Sequence, residues 1–201
     1  MDRRIENDLR KKWINGRRSK HNLIHWLLPN IQYKYSEITN EGRTQNDYKI
    51  LRSGIIPVVT LDGNNYWMLG SFHDYPSNQP DPILTDFGGT CKNEEPLSCA
   101  VRETKEESRG LLNGPIINAV EKGNYVIFEG SDDVNKNKIF YYIVFVDYEE
   151  VKDIPEKFKT LKSRERFGPI DLYDQSKILK REYRTAKNMT DFISYLNNYR
   201  R

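Results

Sequence analysis

Residues 89 to 110 read GTCKNEEPLSCAVRETKEESRG. Five glutamates (Glu94, Glu95, Glu103, Glu106, Glu107) and two arginines (Arg102, Arg109) crowd into this stretch, just after Gly88-Gly89. Pro96 suits a first helical position, where its missing N–H costs nothing. Glu94 and Glu95 then sit at the positive end of the helix dipole. Leu97, Ala100, Val101, Thr104 and Leu111 recur at helical spacing, which predicts a helix over about 96 to 108 with that face on the core. Glu103, Glu106 and Glu107 share a neighbouring face, where like charges repel. A solvated helix usually interleaves lysine there, and Lys105 falls elsewhere. The crowding makes sense if a divalent cation sits among the carboxylates, because magnesium takes hard oxygen ligands and keeps several waters. A charged solvent face with an Arg102–Glu106 pair is the ordinary alternative, and helix composition alone leaves it open.

The flanking segments read as strands. GIIPVVTL (54–61), the turn DGNN and YWMLGSF (66–72) form a predicted β-hairpin. Pro57 points to an edge or a bulge in its first strand. ILTDF (83–87) reads as a short strand running into the glycine pair. GNYVIFEG and KIFYYIVFVDY are rich in β-branched and aromatic residues and are joined by the turn SDDVNKN. That turn lacks the glycine and glutamate of a calcium loop, with Lys138 and Val144 in their places. A last helix is expected over NMTDFISYLNNY. Residues 3 to 28 read as two helices split at Asn15-Gly16. The element order favours an α+β fold over a doubly wound one.

Counted from Gly88, the chain gives glycine, five residues, Glu94, seven residues, then Arg102-Glu103-Thr104-Lys105-Glu106-Glu107. This resembles the Nudix box, G-x5-E-x7-R-E-U-x-E-E-x-G-U with U apolar, in six fixed positions over about 23 residues. Thr104 stands where an apolar residue is usual, though its methyl still packs. Arg109 stands where the last glycine belongs, with Gly110 one place late, so the helix is expected to end one residue later. Either Gly88 or Gly89 serves as the motif glycine, which leaves open whose carbonyl reaches a metal.

The resemblance implies a Nudix-type α/β/α sandwich with a mixed sheet over 49–201, preceded by a helical, basic N-terminal extension (1–48) packed on the core. It implies a pyrophosphohydrolase dependent on Mg²⁺ or Mn²⁺ that cleaves nucleoside diphosphate-linked substrates. Glu106 and Glu107, with Glu103 and the Gly88 carbonyl, would hold metal. Glu103 would bind a second ion or act on the attacking water, and Arg102 would orient the carboxylates. The family often adds a carboxylate from a later loop, and Glu165 in SRERFGPIDLY is the candidate. The resemblance leaves two further readings: a Nudix enzyme acting on an RNA 5′ cap or a diphosphoinositol polyphosphate, and a Nudix-fold binding module without catalysis. The retained carboxylates speak against the last.

Composition narrows the rest. Aromatics at 12%, with thirteen Tyr, exclude a disordered chain. No run of eighteen apolar residues exists to span a membrane, and the charged start MDRRIENDLRKKW lacks the apolar core of a signal peptide. A cytoplasmic setting is the default, and abundant Asn, Ile, Lys and Tyr fit an AT-rich genome such as that of a large virus or phage. Cys91 and Cys99 are too few for a disulfide framework or a zinc site and are expected as reduced thiols. His21 and His25 read as helix surface. Net charge is +3, but residues 1–21 and 177–201 each carry +5, which leaves −7 between them. Arg10, Lys11, Lys12, Arg17 and Arg18, beside Trp13, are candidate contacts for a phosphate-rich substrate, RNA included.

Overall fold

The computed structural model describes residues 32–36, 49–72, 82–132, 137–161, 167–185 and 189–199. The strands are β1 (Gln32–Ser36), β2 (Lys49–Leu61), β3 (Asn64–Phe72), β4 (Ile83–Thr85), β5 (Phe87–Thr90), β6 (Tyr125–Asp132), β7 (Asn137–Phe145) and β8 (Phe167–Asp174). The helices are α1 (Pro96–Glu107), α2 (Asn113–Glu121), α3 (Tyr148–Val151), α4 (Ile154–Thr160), α5 (Gln175–Leu179) and α6 (Met189–Tyr199). The helices expected over 3–28 lie outside the described residues.

The strands form one mixed sheet, ordered β1-β6-β7-β2-β3-β4, with β5 on β2 and β8 on β3. The β2–β7 pair is parallel and the other named pairs are antiparallel. The first hairpin closes through Asp62 (φ 51°) and Gly63 (φ 76°), the two positive angles that a tight hairpin turn requires. The β6–β7 hairpin forms as read, with Asp132 opposite Asn137.

Period-2 alternation sends side chains to both faces of the sheet. Ile139, Tyr141 and Ile143 of β7 join Ile56, Val58, Trp67 and Leu69 under α5 and α6, where Met189, Phe192, Ile193 and Leu196 cover them. Phe140, Tyr142 and Val144 point the other way and pack with Ile55, Val59, Met68 and Phe87 against α1 to α4. The result is a layered α/β/α arrangement of the α+β class, as expected.

Two strand expectations need correction. Pro57 is neither at an edge nor at a bulge: β2 lies between β7 and β3, and its register shift falls between Ile50 and Arg52. On the side away from β7, β2 pairs with β5 at Arg52–Ile55 and with β3 only from Val58 onward. Pro57 sits in the gap between those partners, where a missing donor is tolerated. ILTDF is not one strand. β2 and β3 part like a fork beyond the Val58–Trp67 pair, and residues 83–90 fill it, with β4 on β3 and β5 on β2. Asp86 marks the switch. The fork lays Gly88 and Gly89 against Gly54 and Ser53, and α1 follows directly.

Candidate functional site

α1 begins at Pro96, with Glu95 as its extended N-cap residue. Ala100 and Thr104 are buried, and Leu97, Val101 and Leu111 are partly buried against the same core, so the expected apolar face is the packed one. Thr104 completes it by donating its hydroxyl to the Ala100 carbonyl at 2.8 Å. The three acids do not share one environment. Glu103 is buried at 3% exposure, the Glu107 residue is half-buried, and the Glu106 side chain is 55% exposed.

A Cβ at Gly89 would lie 2.2 Å from Glu103 Oε2, so glycine there lets the carboxylate rest against the backbone. The Gly88 N–H donates to Glu107 Oε2 at 2.8 Å. Its carbonyl, expected as a metal ligand, accepts from Arg52 Nη2 at 3.2 Å. Arg102 gathers the acids: Nε and Nη2 donate to Glu94, Nη1 donates to Glu103 at 2.9 Å and Glu106 at 3.3 Å, and Nη2 also reaches the Thr90 carbonyl at 3.3 Å. These charge-assisted bonds hold the Glu94 carboxyl below its ordinary range, with the Arg102 bond the main cause. Glu107 moves the other way. Burial, then the charge of Asp86, raises its carboxyl well above the usual range, while Arg52 and the Gly88 N–H pull it down.

Beneath the glycines lies a group that sequence reading missed. Arg52 of β2 and Asp86 are 2% and 3% exposed. Their side chains form a two-pronged ion pair at 2.7 and 3.0 Å. Burial is the largest single influence and opposes the Arg52 charge, but Asp86, together with Tyr141 and Glu107, holds the guanidinium above its ordinary range. The available signal was a lone arginine entering an apolar strand, with an acid just before Phe-Gly-Gly.

The expectation of reduced thiols is wrong. Cys91 and Cys99 form a disulfide with Cα atoms 5.4 Å apart. The turn after β5 folds back onto the first turn of α1 and brings the two within bonding range. The bond closes the loop that carries Glu94. Arg109 also corrects its expectation. The helix does not lengthen; it ends at Glu107. Gly110 N donates to the Lys105 carbonyl and Arg109 N to that of Glu106, a Schellman ending in which Arg109 itself takes φ 55°.

Glu165 and the cluster Arg10, Lys11, Lys12, Arg17 and Arg18 lie outside the described residues. Among the described residues no three His, Cys, Asp or Glu groups form a ready-made cage for an ion. No helix there is long and apolar enough to cross a membrane.

No family model matches this chain, and no curated protein matches it with significance. Solved structures do align. An Ap4A hydrolase from C. elegans shares 13% identity over 76% of this chain and 100% of that one, with TM-score 0.42. A mutT/nudix family protein from Listeria innocua shares 17% over 78% and 95%, with TM-score 0.44. NrtR from Shewanella oneidensis shares 13% over 73% of this chain and 60% of its own, with TM-score 0.45. A likeness this distant describes only the general course of the chain, and the chemistry below is drawn from this chain's own side chains.

Proposed function

We propose that this chain is a metal-dependent pyrophosphohydrolase of the Nudix type, acting on nucleoside diphosphate-linked substrates. One observation carries the reading: Glu103 and Glu107 converge on the glycine pair, while Arg102 holds Glu94, Glu103 and Glu106 in one network. Burial, and then the charge of Asp86, raises the Glu107 carboxyl, and a bound cation would offset both.

The donor set suits Mg²⁺ or Mn²⁺. Magnesium takes one or two protein carboxylates and completes its shell with water and substrate phosphate, so a closed protein cage is not required. Glu107, Glu106 and Glu103 would hold the ion. Once bound, such an ion neutralises charge on phosphate oxygens and acidifies water. Glu103, which lies against Gly89, would accept a proton from attacking water. Arg102 keeps the carboxylates aimed, and Glu94 keeps Arg102 in place. In the described residues Lys177, Lys180 and Arg181 are exposed and extend the basic C-terminal stretch, which supports a second reading in which the substrate is a larger polyanion such as capped RNA.

The test is a panel of dinucleotides, sugar nucleotides and capped RNA with Mg²⁺ or Mn²⁺ in ¹⁸O water. The proposal requires label on one of the two phosphate products. Label on neither would refute attack at phosphorus.

A further inference from the structure

The Arg52–Asp86 pair lies under the candidate metal site and is out of reach of any substrate, since both residues are almost fully buried. Buried ion pairs are poor sources of stability, because desolvation commonly cancels their attraction. The backbone packs closely around this pair. A Cβ at Gly54 would lie 2.1 Å from Asp86 Oδ2. A Cβ at Gly88 would lie 2.5 Å from Gly54 Cα and 2.7 Å from that same carboxylate oxygen. Gly54 thus leaves room for the Asp86 carboxylate, while Gly88 leaves room first for the backbone of the facing strand and then for that carboxylate. The Arg52 guanidinium also lies 5.3 Å from the centre of the Tyr141 ring, and its Nε has no acceptor among the described residues. The group is thus not optimised as an ion pair alone.

Its remaining bond shows where it acts. Arg52 Nη2 donates to the Gly88 carbonyl at 3.2 Å, and the Gly88 N–H donates to Glu107 Oε2 at 2.8 Å. Gly88 is gripped on one side by the buried pair and grips Glu107 on the other. Gly88 also lies in β5 opposite Gly54 of β2, and these two bonds add to that pairing a direct link from the buried pair to Glu107. We propose that Arg52 and Asp86 are positioning residues that lock the Gly88 backbone so that its N–H aims the Glu107 carboxylate at the divalent cation. This rests on the metal reading above. The planar fork of arginine is needed because one guanidinium must serve two carboxylate oxygens and a carbonyl together.

The probe is Mn²⁺ alone, titrated into the full chain and followed by the EPR signal of free Mn²⁺, with thermal unfolding recorded in parallel. The variants are R52M/D86N, which removes both charges together, R52K, which keeps the charge without the fork, E107Q, and the triple combination. Partners that orient a metal ligand typically change affinity about 10–100-fold when lost. R52M/D86N should therefore bind Mn²⁺ about 10–100-fold more weakly while still unfolding cooperatively, and R52K at least several-fold more weakly. The triple variant should bind no more weakly than E107Q, because the pair acts through Glu107. A folded R52M/D86N or R52K with wild-type Mn²⁺ affinity overturns the inference, as do losses that add to that of E107Q. If the double variant does not fold, R52K decides. Wild-type protein that takes up no Mn²⁺ overturns the metal reading itself, a failure distinct from unchanged binding in the variants.

Discussion

Arg109 occupies the left-handed region at φ 55°, where a side chain costs about 1 kcal/mol that glycine does not. Its compensation is visible: the guanidinium lies 4.0 Å from the Phe158 ring centre and donates to the Phe158 and Leu161 carbonyls. The residue thereby ties the end of α1 to the end of α4. R109A keeps the backbone cost and loses the tie, whereas R109G loses both. Chemical denaturation should find R109A less stable than R109G by about 1 kcal/mol. Equal stabilities would mean the left-handed turn costs nothing. The departure from the motif was visible in the sequence, but its consequence was not. Sequence spacing shows that glycine is missing; only the Lys105–Gly110 bond shows that the turn forms regardless.

At the scale of elements, the junction of β5 and α1 carries the candidate site, and the disulfide fastens that junction. Cys91 and Cys99 are eight apart, and closing so short a loop stabilises by about 2–3 kcal/mol in the chain-entropy model. A dithiol reductant, or C91A/C99A, should lower the unfolding free energy by about that amount, and the two treatments together should do no more than either alone. Identical unfolding curves with and without reductant would show the bond to be absent in solution. The helix, both hairpins and the acidic cluster were legible because each rests on local periodicity or turn chemistry. The fork was not: nothing within ILTDF says that its halves pair with different strands, since that follows from where β2 and β3 separate. The Arg52–Asp86 pair was hidden for the same reason, being a contact across 34 positions of chain.

Over the whole molecule, charge and site are separated along the chain. The ends carry +5 each around a middle of −7, and the acids that would hold a cation lie in that middle. A small dinucleotide meets few of the terminal charges, while capped RNA meets many, each neutralised phosphate steepening the salt dependence by about 0.7. Neutralising Arg10, Lys11, Lys12, Arg17 and Arg18 should flatten the salt slope for short capped RNA and leave dinucleotide turnover unchanged. A shallow slope shared by both proteins would assign those residues to a solvated face and favour the small-nucleotide reading. Charge balance is additive over the sequence and so was legible without structure. The burial that separates Glu103 from the exposed Glu106 was not, because equal spacing on a helix does not say which residue faces a glycine. The central claim is that Glu107, aimed by Gly88, binds a cation that hydrolysis of a pyrophosphate bond requires. Its most direct test is steady-state turnover of E107Q with Mg²⁺, on whichever panel substrate the wild type cleaves, alongside thermal unfolding. The account predicts a fall in kcat of at least about a hundredfold, roughly 2.7 kcal/mol of barrier, with little loss of stability, because the substitution removes a buried charge and its repulsion from Asp86 and Glu103. Turnover within a few-fold of wild type would contradict it.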